Sequence, residues 1–548
     1  MTQEQTQKRK PWLVIVAVAL LVVAGGIFGV GKYYENKHIQ EMKDVLALVP
    51  APYTLTVDDI SGSLFGRSLT LTGVKGSLPY KDATIAISMD KVEGDALNPL
   101  AFTADGVSKL AGTLDITNMN VSGPGYTYSV AFYTLTDVQG DFKEIARQWG
   151  VALPALLAMQ RELLEFTSDA YGMGTNDDDD WYDDDDWYAG DDQLFELLNK
   201  HMGSLRGLLK ATETLRVGSM ASRDEKVSFA VENHMIDVTV ASVEAKNYSL
   251  VNAGPMKVLG ITVGYDGKEV ATIEEVGMDR ALMPSYTEMM ELVLQKPDPA
   301  MIEKLFEENE FAFDNMRFKG LKVNVPDLDG RNFPFELGEF SMSMSFKDKT
   351  IGFALGLKNL AFEKKVFEEA ATSRSDREML SLLPARVNVS GDADVTVVRK
   401  SDRLADVVFK PVGMSVDGIG SFSLSLDARE VAPGMRDDAK LASMALSVTD
   451  GGALDLIFKL AAEDEGRSVD AIRGQAIAMI EMQGASLQGP LKEMSANIVS
   501  FLKTSGGTFT MTIEPSSLMP MRDFQRNIMT DPASLGISST YTPGTSGK

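Results

Sequence analysis

The stretch SMSMSFKDKTIGFALGL, residues 341–357, leaves little freedom in how it folds. Met342, Met344 and Phe346 alternate with Ser341, Ser343 and Ser345. After the polar break from Lys347 to Thr350, Ile351, Phe353, Leu355 and Leu357 alternate with Gly352, Ala354 and Gly356. A period of two places alternate side chains on opposite faces of a strand, so the pattern predicts a β-hairpin with one apolar face and one nearly bare face. The pattern recurs at 421–430, where Phe422, Leu424 and Leu426 oppose Ser421, Ser423 and Ser425. It recurs again at 441–460, read as a hairpin turning at Thr449–Gly452, with Leu454, Leu456, Phe458 and Leu460 on its second strand. Repeated hairpins of this kind predict a mainly antiparallel β chain of α+β class, with a long, curved, meandering sheet that is apolar on one face.

Helical segments interrupt the strands. Residues 36–49 read as a short helix ended by Pro50 and Pro52, and glycine-punctuated strands begin at Tyr53. The expected order is a juxtamembrane helix and first β region over 32–140, a helical insert over 141–215, and a second β region over 216–363. A third β region with a C-terminal helix pair (468–483 and 489–503) follows over 364–515. Residues 516–548 read as a disordered tail.

The first residues set an address. Lys8–Lys10 precede an uncharged apolar run from Pro11 to Gly31, followed by Lys32, Tyr33 and Tyr34. About 20 apolar residues span a bilayer as a helix, flanking aromatics suit its interfaces, and basic residues stay cytoplasmic. The expectation is therefore a cytoplasmic tail (1–11), a single transmembrane anchor (12–31) and a chain otherwise outside the cytoplasm. The competing reading is a cleaved signal peptide, because Ala24-Gly25-Gly26 resembles a cleavage site. The net charge of −25 argues against nucleic acid, which needs a cationic surface. The chain has no cysteine, which excludes disulfides and thiol chemistry but leaves the compartment open.

No catalytic constellation is legible. The three histidines, His38, His201 and His234, share no ligand spacing, and nucleophile elbows, phosphate loops and zinc-protease motifs are absent. The sequence predicts no enzyme, no cofactor and no metal site. An acidic loop, 177–192, carries ten Asp residues interrupted by Trp181-Tyr182 and Trp187-Tyr188. Like charges keep such a run extended and solvated. As a partner contact, the loop would present Asp177, Trp181, Tyr182, Asp183, Trp187 and Tyr188.

Soon after the anchor stands ISGSLFGRSLTLTGVKGSL (60–78). An anchor, a short linker and this glycine- and leucine-punctuated run resemble the start of AsmA-like and TamB-like envelope proteins. The chain is most similar to the YdgA-like family of bacterial inner-membrane proteins of unclear function. The resemblance extends to LSVTDGGALDLIFKLAAEDEGRSVDAIRGQAIAMIEM and the following GGTFTMTIEP. It implies an inner-membrane-anchored periplasmic protein whose sheet shields acyl chains in a hydrophobic groove, binding or transferring lipid or another amphiphile. The groove candidates are Met342, Met344, Phe346, Ile351, Phe353, Leu355, Phe422, Leu424 and Leu426. The alternative is an envelope interaction protein whose sheet is closed by its own helices. The stripes Val469, Ile472, Ala476, Met479 and Leu491, Met494, Ile498, Phe501 are the coverings it would use, and the acidic loop would meet the partner.

Overall fold

The computed structural model describes residues 54–63, 68–80, 83–96, 101, 104–145, 147–148, 152, 200, 203, 205–231, 234–285, 287–289, 309–326, 332–365, 368, 377, 380, 383–401, 404–432 and 439–544. The expected anchor (12–31) and acidic loop (177–192) lie outside these residues. The protein is mainly antiparallel β with a few helices. Among the described residues, no helix is long and apolar enough to cross a membrane. The chain divides into two compact units, one of residues 1–269 and 278–310 and the other of residues 270–277 and 311–548.

The first unit is a meander of long strands: β1 (Thr54–Thr56), β2 (Asp59–Ser63), β3 (Ser68–Tyr80), β4 (Ala83–Asp95), β5 (Ser108–Gly123), β6 (Tyr126–Gly140), β7 (Arg216–Val231), β8 (His234–Ser249), β9 (Asn252–Ala253) and β10 (Met256–Tyr265). β1 and β2 lie along β3, and β3 to β8 pair consecutively with β10 beside β8. Its inward side chains form one core that includes Leu71, Met89, Val92, Ile116, Met119, Val121, Val130 and Val138, all buried.

The inward positions do not simply alternate. On β5 they are Ala111, Leu114, Ile116, Met119 and Val121, and on β6 Tyr128, Val130, Tyr133, Leu135 and Val138. Steps of two and three residues therefore succeed one another. A step of three keeps the chain facing the core only if one extra residue enters the strand, as at a bulge.

In the second unit, residues 270–277 of β11 (Lys268–Met278) pair with β13 (Phe311–Pro326), while the short β12 (Arg280–Leu282) pairs with β9 in the first unit. From β13 the meander runs through β14 (Asn332–Lys347), β15 (Thr350–Glu363), β16 (Arg386–Ser401), β17 (Leu404–Val416), β18 (Gly420–Val431) and β19 (Lys440–Asp450). Each of these strands is antiparallel to the next. The hairpin expected at 341–357 is present: Lys347 pairs with Thr350 across Asp348 and Lys349, whose φ values of 48° and 66° suit a two-residue type I′ turn.

Two expectations for the C-terminal region are corrected. Leu454, Leu456, Phe458 and Leu460 are not on a strand; they lie on helix α1 (Ala453–Glu465). Leu454, Phe458 and Ala462 also satisfy a helical spacing, and Asp450 decides the matter. Its carboxylate accepts hydrogen bonds from the backbone N–H groups of Gly452 (3.1 Å) and Leu454 (3.0 Å), which start the helix, and of Gly506 (3.0 Å). The backbone passes so close here that a Cβ on Gly452, at φ 134°, would stand 2.7 Å from Gly418 O. Helices α2 (Val469–Gly484) and α3 (Gly489–Lys503) follow within a residue of the expected bounds.

The second correction concerns the expected disordered tail. After β20 (Thr508–Ile513), which pairs with β19, the chain forms β21 (Met519–Pro520), helix α4 (Met521–Thr530), a 3₁₀ turn (Pro532–Leu535) and β22 (Ile537–Thr542). β22 pairs with β20 along its whole length, and Leu535 is completely buried. A strand as polar as ISSTYT is ordered by the neighbour it pairs with, which its own composition does not reveal.

Candidate functional site

The best candidate site is the apolar face of the second unit. On the 341–357 hairpin, Met342 pairs with Leu355, Met344 with Phe353, and Phe346 with Ile351, so all six groove candidates there share one face. The series continues through Phe353 to Val395 of β16, Val395 to Phe409 of β17, and Phe409 to Leu426 of β18. Leu424 and Phe422 join it opposite Val412 and Met414. Two hairpins distant in sequence thus carry one continuous apolar surface. Phe313 and Met316 of β13 extend it beside Met344 and Met342.

Its covering is uneven. Met344 (38% exposed), Ile351 (37%), Met414 (45%) and Phe422 (42%) keep large apolar side chains in solvent. Towards β19 and β20 the face is packed: Leu426, Met444 and Met511 contact a core of Leu441, Leu491, Ile513, Met519, Leu535 and Ile537. Leu426, half-buried, thus sits where the face meets this core. Of the helical stripes expected to cover the face, Leu491 and Met494 of α3 lie in or against this core, joined by Phe524 and Ile528 of α4, and Phe501 of α3 stands 6.2 Å from Phe509 of β20, centroid to centroid. On α2, Ile472 is buried against Phe458 of α1 with Val469 and Ala476 alongside, whereas Met479 is 48% exposed and covers nothing there.

The opposite face is polar and self-paired. Ser341 and Ser345 face Gly356 and Gly352, and Ser343 Oγ accepts a hydrogen bond from Asn315 N at 2.8 Å. A Cβ added to Gly356 would stand 2.6 Å from Ser341 Oγ, so a larger residue there would force the serine hydroxyl to turn away. Cross-strand ion pairs lie on this side, including Lys358–Glu339 (3.0 Å) and Lys410–Asp394 (3.0 Å). Such exposed pairs contribute little individually, but they keep charge off the apolar face.

Two of the titratable side chains show how such groups are engaged locally. His234 stacks on Tyr265, and its Nδ1 lies 2.6 Å from Asp266 Oδ2. Asp406, 5% exposed, is pushed up by burial, but Arg429 Nη1 (3.0 Å), the Glu430 N–H (3.2 Å) and Lys400 Nζ (3.1 Å) hold its carboxyl below the ordinary carboxylate range. Among the described residues, no group of three His, Asp or Glu side chains is placed to hold a metal ion.

Strands β13, β16 and β17 fall within the β regions expected over 216–363 and 364–515, but the residues they add to the apolar face were not among the groove candidates; β13 shows why. In FAFDNMRFKGLKV, Phe311, Phe313, Met316, Phe318, Leu321 and Val323 are spaced by two and three in turn. No curated protein matches the chain. A family model described only as an uncharacterized protein matches residues 413–540, which run from the end of β17 through α1–α4 into β22.

Proposed function

We propose that the exposed part of the second unit's apolar face binds the hydrocarbon portion of a lipid or another amphiphile. The protein is, on this reading, anchored in the bacterial inner membrane by residues 12–31, with its N-terminus cytoplasmic and its β-rich bulk periplasmic. Its sheet is a long curved meander with one apolar face, and it works in envelope maintenance without catalysing a reaction. The observation that carries this reading is a set of large exposed apolar side chains on one face, Met344 and Ile351 on β14 and β15 and Met414 and Phe422 on β17 and β18. Four inter-strand spacings separate β14 from β18, about 19 Å. Soluble surfaces rarely leave several large apolar side chains exposed on one sheet face without something to cover them. Two of these side chains, Met344 and Met414, are flexible thioethers that can adapt to a ligand of irregular shape.

The test is lipid extraction and native mass spectrometry of the purified full-length protein, with uptake of a fluorescent fatty acid as a second readout. Co-purifying lipid, and uptake abolished by Met344→Asp with Phe353→Asp, are expected. Absence of both lipid and uptake overturns the proposal. An alkaline-phosphatase fusion near residue 60 tests the topology, and an inactive fusion refutes it.

A second reading draws on the packed end of the same face, where Leu426 and Met444 join a core to which α3 and α4 contribute. In it the protein is an envelope interaction module with a closed core that meets a partner through the acidic loop. Loss of partner capture on deleting 177–192, with no lipid recovered, favours it.

A further inference from the structure

Left-handed residues are embedded in the middle of the first unit's strands, and they are aligned. Asn118, Asp137, Asp224 and Asn247 have φ between 49° and 53°, and Gly73 and Gly260 have φ of 61° and 62°. The strand registers place Gly73, Asp90, Asn118, Ala131, Asp224, Ala241 and Gly260 successively opposite one another from β3 to β10. Positive φ falls on every second member of that row: Gly73, Asn118, Asp224 and Gly260. A second row runs Ala96, Gly112, Asp137, Gly218 and Asn247, again with positive φ on alternate members, and on the strands the first row skips.

An ordinary bulge adds a residue to one strand and shifts its register against the neighbour. Here the register is unchanged across the row. Leu71 pairs with Val92 and Val74 with Met89; Ile116 pairs with Tyr133 and Met119 with Val130; Ser222 pairs with Val243 and Glu225 with Val240. All these inward steps are of three residues, so every strand carries the extra residue at the same place. The neighbours of left-handed residues are small where the backbones crowd. A Cβ on Gly218 would stand 2.9 Å from Asp137 Cβ, and one on Gly112 3.1 Å from Ala96 Cβ.

We propose that each row is a crease: one collective feature, shared by all the strands it crosses, that turns the strands together and resets which side chains face the core. The rows lie six residues apart on β5 to β8, about 20 Å. Left-handed backbone is nearly strain-free for glycine, tolerated by Asn and Asp, and costly for β-branched residues. That accounts for the Asx residues at these positions.

The experiment uses the full-length protein and reads amide hydrogen exchange in peptides from 83–140. Asn118→Gly should keep full protection, and Asn118→Val should lower the thermal midpoint by a few degrees. Deleting Asn118 should abolish protection across β4, β5 and β6, because Met119 and Val121 would then point away from the core. Deleting Asn118 and inserting a glycine after Val121 restores the length but not the row, and it should fail in the same way. Native protection in either deletion variant overturns the proposal, since an independent bulge would be dispensable. Loss of protection in Asn118→Gly overturns it as well.

Discussion

Placing a carboxylate on the apolar face separates an open surface from a filled core. Met344 is 38% exposed, so Met344→Asp gives up only the buried part of its side chain. Complete burial of a Met is worth about 1.5–3 kcal/mol, so roughly three-fifths of that, about 1–2 kcal/mol, is lost. The new carboxylate reaches water there and incurs no buried-charge penalty. Met89 in the first unit is 2% exposed and packed in the core. Met89→Asp forfeits the whole transfer energy and also buries an unpaired charge, which is enough to unfold a domain of ordinary stability of about 5–15 kcal/mol. The assay is urea unfolding of the full-length variants in mild detergent, followed by hydrogen exchange in peptides from each unit. Met344→Asp should shift its own unit's transition slightly without changing the slope. If it unfolds the second unit as Met89→Asp unfolds the first, the face is covered and the reasoning fails.

Asp450→Ala removes the acceptor of three backbone N–H groups, including those that start α1, and should destabilise the second unit by about 1–3 kcal/mol, read by thermal denaturation. Leu535, completely buried, should cost about 2–5 kcal/mol as Leu535→Ala, and a stop codon after residue 515 should remove protection from β20; an unchanged β20 would show that the C-terminal strand is an accessory. Asp406 has a folded-state pKa below its unfolded value, so the stability it contributes is complete above the unfolded pKa and is lost as pH falls through the folded one. Asp406→Asn should flatten that acid limb of the stability profile, and an unaltered profile would assign the acid loss to other carboxylates.

Much of the architecture is legible in local patterns. The 341–357 hairpin, its turn and its apolar face follow from alternation because no crease crosses that stretch. Helices α2 and α3 follow from apolar stripes, and α2 begins at a Ser468 whose side chain accepts from Ala471 N. In β5 to β8 simple alternation breaks, because each row adds a residue to every strand. A reading in twos recovers only fragments there, although the spacing in twos and threes is present in the letters once the rows are known. GALDLIFKL satisfies both a strand and a helical period, and it becomes a helix because Asp450, held beside Gly506, binds its first N–H groups. β22 is polar and short, and only its pairing with β20 and the burial of Leu535 order it. The sequence by itself determined that the strands have an apolar and a small-residue face, since a side chain's hydropathy and its alternation are local properties. Only the tertiary structure decided which apolar residues are core and which face solvent. Leu426 and Phe422 lie on one strand with the same apolar character, yet Leu426 packs against the core of the C-terminal strands and helices while Phe422 is 42% exposed, a non-local difference that no spacing along the strand encodes.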